Sequence, residues 1–81
     1  MPTSYKILAP SEYIDLPQGE ITVYVQRIDP GKEAWFQYST GYQTPHLIPG
    51  GGYVGQHNGG GKLTNTSPDN IKIKAFYSSN P

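Results

Sequence analysis

Glu20-Ile21-Thr22-Val23-Tyr24-Val25-Gln26-Arg27-Ile28-Asp29-Pro30-Gly31-Lys32-Glu33-Ala34-Trp35-Phe36-Gln37-Tyr38-Ser39-Thr40 is the stretch whose reading decides the fold. Ile21, Val23 and Val25 alternate with Thr22, Tyr24 and Gln26, the two-residue period of a pleated strand with one face buried. Asp29-Pro30-Gly31-Lys32 reads as a turn, because proline fixes φ at its first central position and glycine accepts positive φ at the second. The chain then resumes with Ala34, Phe36 and Tyr38 on one face and Trp35, Gln37 and Ser39 on the other. This is the densest apolar and aromatic run in the protein and holds its one Trp. It predicts a central β-hairpin over residues 20–40, with Phe36 turned into the core against Ile21, Val23 or Val25.

Upstream, residues 1–19 are polar and punctuated by Pro2, Pro10 and Pro17. Tyr5 and Ile7 alternate with Lys6 and Leu8, enough for a short strand, and Tyr13-Ile14-Asp15-Leu16 makes a second extended piece. Proline is tolerated on sheet edges and blocks central pairing, so this segment is either an edge strand or an arm that lies on a neighbouring molecule. Downstream, Gly41 to Lys62 holds eight of the ten glycines and reads as a long glycine-rich loop. Tyr42, Leu47, Ile48, Tyr53 and Val54 are its possible anchors, and Tyr53-Val54 is a candidate for a brief strand between the glycine triplets at 50–52 and 59–61. Pro68-Asp69-Asn70 is a turn. Beyond it Ile71, Ile73, Ala75 and Tyr77 face one way and Lys72 and Lys74 the other, a strand that ends in a polar tail within residues 63–81. No stretch shows helical periodicity. The reading is a single all-β domain, a small sandwich or open barrel of four to six short antiparallel strands.

Composition narrows the function. Eighty-one residues make one small domain, and a chain this short buries only about 60% of the surface its unfolded form exposes. Small domains draw extra stability from disulfides, a metal or oligomerisation. With no Cys and only His46 and His57, disulfides and thiolate sites are excluded and no metal or other cofactor is expected. Association with copies of itself or with a larger body is the remaining source. Six basic residues balance six acidic ones, so there is no basic footprint for nucleic acid and no polybasic patch for a membrane surface. No charged segment followed by an apolar core opens the chain, which predicts synthesis in the cytoplasm without a signal peptide. Asn65-Thr66-Ser67 matches a glycosylation acceptor and is read as coincidence.

Motifs that carry chemistry fail on context. Gly50-x-Gly52-x-x-Gly55 has the spacing of a dinucleotide-binding turn, but that turn works by handing pyrophosphate to a helix N-terminus, and Gln56-His57-Asn58-Gly59-Gly60-Gly61 cannot form that helix. Gly61-Lys62 lacks both the first glycine and the hydroxyl ligand of a phosphate-binding loop. A triad of His46 or His57 with a Ser and Asp69 can be written for any protein of this size, and nothing resembles a nucleophile elbow. No enzyme activity is expected.

Aromatic residues are the excess that remains. Tyr and Trp bury large areas at low entropic cost while keeping a polar handle, and they are enriched at protein interfaces. Tyr5, Tyr13, Trp35, Tyr42 and Tyr53 are the aromatic contact candidates, and Gly51 and Gly60 join them because glycine lets a partner's backbone approach closely. The expectation is a non-enzymatic structural or assembly subunit, of the kind that decorates or cements a virion. Its partner would be a major capsid protein, another large structural protein, or its own copies. The alternative is a carbohydrate- or receptor-binding module, such as a fibre tip, that uses Trp35 and the loop tyrosines, with Gln56, His57 and Asn58 as polar neighbours.

Overall fold

The computed structural model describes residues 5–29, 31–41 and 43–79. Eight antiparallel strands account for them: β1 (Lys6–Leu8), β2 (Tyr13–Leu16), β3 (Ile21–Arg27), β4 (Trp35–Tyr38), β5 (His46–Leu47), β6 (Tyr53–His57), β7 (Gly61–Asn65) and β8 (Ile73–Ser79). The described residues include no helix, hence none long and apolar enough to cross a membrane. The strands form two sheets of four, in the orders β1-β8-β3-β6 and β2-β7-β4-β5. The all-β sandwich expected from the alternation is present, with eight strands rather than four to six.

The pairings are nested: β4 with β5, β3 with β6, β2 with β7 and β1 with β8. One long ribbon, folded at the β4–β5 turn, is rolled so that successive pairs fall alternately into the two sheets. Eight strands wound in this way are a jelly roll, here in a very short form.

The core lies between the sheets. Ile21, Val23, Val25, Ile73 and Ala75 reach into it from one side, and Ile14, Leu16, Phe36, Tyr38 and Leu63 from the other. Phe36 is fully buried, as its place in the alternation requires, and its ring packs against Tyr38 and Tyr53. Burying a phenylalanine contributes about 1.5–3 kcal/mol.

Two expectations are corrected. The central hairpin is not a hairpin: β3 and β4 belong to opposite sheets, and residues 28–34 carry the chain across the sandwich. The Asp29 carboxylate accepts from the Gly31 amide at 3.0 Å and the Asp29 carbonyl from the Lys32 amide at 3.2 Å, so the turn itself forms. Pro30 lies outside the described residues. The buried Ala34 then enters β4 on the far sheet. Alternation had assigned the faces of both strands correctly, but it carries no information about which strand pairs with which.

The glycine-rich segment 41–62 is also not a loop, since it supplies β5, β6 and the start of β7. Gly55 pairs with Val23 in mid-ladder, and the phenol ring of Tyr53 lies where a Gly55 side chain would be. An aromatic neighbour thus covers the gap that glycine leaves in the sheet. Residues 6–16 form β1 and β2, one edge strand in each sheet, which is the edge-strand alternative for the N-terminal segment; residues 1–4 lie outside the described part.

Asn65 ties the far end together. Its side-chain amide donates to the carbonyls of Leu8 and Ile71 at 2.8 and 2.9 Å, and its carbonyl oxygen accepts from the Ser67 amide at 2.8 Å. It is fully buried. The glycosylation match is therefore closed in the folded protein.

Candidate functional site

All twelve charged residues fall before Ala34 or after Gly61. Folding turns that gap into geography, because β4, β5, β6 and their connections occupy one side of the sandwich. Those segments contribute no Asp, Glu, Lys or Arg, although Arg27 of β3 reaches them and donates from Nε to the Ile48 carbonyl at 2.8 Å, and the rings of His46 and His57 pack inward on aromatic neighbours. His46 stacks on Phe36 at 5.2 Å and His57 on Tyr38 at 4.4 Å. His57 donates from Nε2 to the Gly60 carbonyl at 2.7 Å, an oxygen that also accepts from the Thr40 hydroxyl at 2.8 Å.

What this side presents outward is uncharged: the polar side chains of Gln43, Thr44, Gln56 and Asn58 are exposed there beside apolar ones. Val54 on β6 is 66% exposed and Leu47 on β5 is 41% exposed. Leu47 sits opposite the half-buried Trp35. β6 forms an edge of its sheet, bonded to β3 on one side. Among the described residues no other backbone group bonds to Tyr53–His57.

The outer face of the same sheet bears a row of apolar side chains. Phe76 of β8 lies opposite Tyr24 of β3, and Tyr24 lies opposite Val54 of β6. Tyr5, immediately before β1, extends the row beside Phe76. Tyr24 and Phe76 are stacked at 4.6 Å with their planes 12° apart, so each ring already covers a face of the other.

A groove of about 410 Å³ opens on the opposite side of the sandwich, between β2 and the β1–β8 pair. Tyr5, Tyr13, Phe76 and Tyr77 form its apolar walls, and Lys6 and Asp15 supply one charge of each sign. Lys62 holds its ammonium 4.3 Å from the Tyr13 ring, and Lys74 holds its own 4.8 Å from the Tyr5 ring. Both contacts lie within the range of a cation–π attraction.

The structure thus separates the seven residues singled out by sequence. Tyr5 and Tyr13 come together at the groove, both about half exposed. Trp35 and Gly51 lie on the side built from β4, β5, β6 and their connections. Tyr53 packs against the core, 4.9 Å from Phe36 by ring centre. Gly60 is buried at φ 72°, and a side chain there would meet the amide of Gln18. Tyr42 lies outside the described residues. The groove wall of Phe76 and the free edge of β6 escaped sequence reasoning. The edge had a signal in the sequence, the absence of any Asp, Glu, Lys or Arg from Ala34 through Gly61.

One buried group is electrostatically perturbed. The Tyr38 hydroxyl has no hydrogen-bonding partner of good geometry among the described residues. Burial pushes its pKa well above the ordinary phenol value, and the nearby phenol of Tyr53 raises it further. No group of three or more His, Asp or Glu among the described residues is placed to hold a metal ion. No family model matches this chain, and neither a curated protein nor a solved structure matches it.

Proposed function

We propose that the chain is a non-enzymatic assembly subunit that gains stability by docking on a larger protein body or on its own copies, as a virion decoration or cement protein does. The observation that supports this most directly is the side built from β4, β5 and β6. The free edge of β6 lies there, with Val54 exposed on the outer face of one sheet and Leu47 on that of the other, and β4, β5 and β6 themselves carry no Asp, Glu, Lys or Arg. Soluble proteins blunt free edges with charge or proline, and an edge without either is a pairing site. Jelly rolls serve capsid subunits and lectins alike, an analogy of architecture that carries neither function by itself.

The groove favours a second reading, a small carbohydrate- or receptor-binding site. Its two exposed tyrosines with one acid and one amine are the mix of flat apolar walls and a few polar groups that ligand sites use. Its volume also lies within their usual range of about 300–1,000 Å³. Trp35 and Tyr53, the first candidates for sugar stacking, do not line it.

Sedimentation and thermal melting of the purified chain test the assembly reading. The expected result is oligomers at micromolar concentration, or a monomer that melts with poor cooperativity. A highly stable, sharply melting monomer overturns it. Saturable glycan binding that is lost in Tyr13→Ala and retained in Val54→Lys would instead establish the groove reading.

A further inference from the structure

Among the described residues the sandwich has four free strand edges, β1 and β6 in one sheet and β2 and β5 in the other. When an antiparallel edge pairs with its own copy about a twofold axis, it meets itself, so each charge on it is brought near the same charge. β1 has three residues and carries Lys6. β2 carries Asp15, with Glu12 just before it and Pro17 just after. β5 has two residues, closed in by Pro45 and Pro49. Length, charge or proline therefore blocks each of these three, the devices by which edges are kept from pairing. β6 has none of them. Its five residues, Tyr-Val-Gly-Gln-His, include no charge or proline, and the flanking residues from Gly50 to Gly61 add no acid, lysine or arginine.

We infer that β6 pairs antiparallel with β6 of a second copy, joining two four-stranded sheets into one continuous sheet of eight. This rests on the assembly reading and names its partner. A second copy fits better than a foreign chain because the edge has no charge pattern by which to select one, while an antiparallel ladder complements itself. The exposed Val54 would meet its counterpart strand on the outer face, and the apolar row of Tyr5, Phe76, Tyr24 and Val54 would run on across the axis.

The contact is small. A five-residue ladder falls short of the roughly 800 Å² per partner of a standard stable interface. The pair should therefore dissociate on dilution. With no charged residue on β6 itself, its affinity should vary little with salt.

Sedimentation equilibrium of the full chain over a range of micromolar concentrations, combined with hydrogen exchange, tests the inference. The expected result is a monomer–dimer equilibrium in which the amides of residues 53–57 become more protected as concentration rises. Val54→Lys and Gln56→Lys, both at exposed positions, should each weaken the dimer at least about ten-fold while circular dichroism and melting show the monomer intact. Ile7→Lys, on the opposite edge and 55% exposed, should leave the dimer unchanged. Self-association that ignores both lysines on β6, or that leaves the β6 amides unprotected, overturns the pairing while the assembly reading stands. A sharply melting monomer at every concentration overturns both.

Discussion

Glycine shows at the scale of single residues how one letter hides different physical roles. Gly51 and Gly60 stand alike in the sequence, each within a glycine triplet. A side chain at Gly51 would meet nothing within 4 Å. Gly60 is buried in a left-handed conformation, with a Cβ position 2.8 Å from the Gln18 amide nitrogen and 3.4 Å from the Leu16 carbonyl. Gly51→Val should leave stability within about 0.5 kcal/mol of the parent. Gly60→Val should cost about 1–3 kcal/mol from backbone strain alone. Urea melts of the two variants check this, and equal effects would refute the assignment. Tyr38 supplies a pH-dependent counterpart. Its folded pKa lies above the unfolded value near 10.0, so above that pH the folded state holds a proton that the unfolded state has released. The stability this confers is fully present below about pH 10 and falls as pH rises beyond it, by at most about 1.4 kcal/mol per pH unit. Melts taken from pH 8 to 11 should show a steeper loss for the parent than for Tyr38→Phe, and parallel curves would remove Tyr38 as the cause.

Strands were far easier to read from sequence than their partners. The two-residue alternation placed Ile21, Val23, Val25 and Phe36 in the core because a pleated strand facing a dry layer must bury every second side chain. Truncating Phe36 to Ala should therefore cost about 3–5 kcal/mol, enough to unfold a domain of marginal stability, and a soluble variant with unchanged melting would contradict its burial. Pairing was not legible. Residues 20–40 look like a hairpin because the turn signals at Asp29–Lys32 are local, whereas the choice between pairing within one sheet and crossing to the other depends on strands far along the chain. β6 and the start of β7 were hidden for a related reason. Backbone hydrogen bonds hold these segments in place, and glycine offers the backbone without side-chain alternation to mark it. The candidate surface was half visible: Tyr5 and Tyr13 were named without their groove, and the charge-free run was present in the sequence as an absence.

Nesting makes the whole molecule depend on its last strands. β8 is the central neighbour of β1 and β3, and β7 that of β2 and β4. Neither sheet can therefore close until residues 61–79 are in place, and every ladder except β4–β5 joins parts of the chain well separated in sequence. Folds dominated by such pairings reach the native state slowly, in milliseconds to seconds. They also offer few stable partial structures. Removing residues 68–81 deletes β8, strips one side of the β3 ladder and exposes Ile21, Val23 and Val25, leaving β1 without a partner. The loss also strands the side-chain amide of the buried Asn65, which donates to Ile71. The truncated chain should have no cooperative melt and no amides with more than local protection in hydrogen exchange. A fragment 1–67 that melts cooperatively would show that sheet β2-β7-β4-β5 folds by itself, and that the two halves of the roll are not mutually dependent.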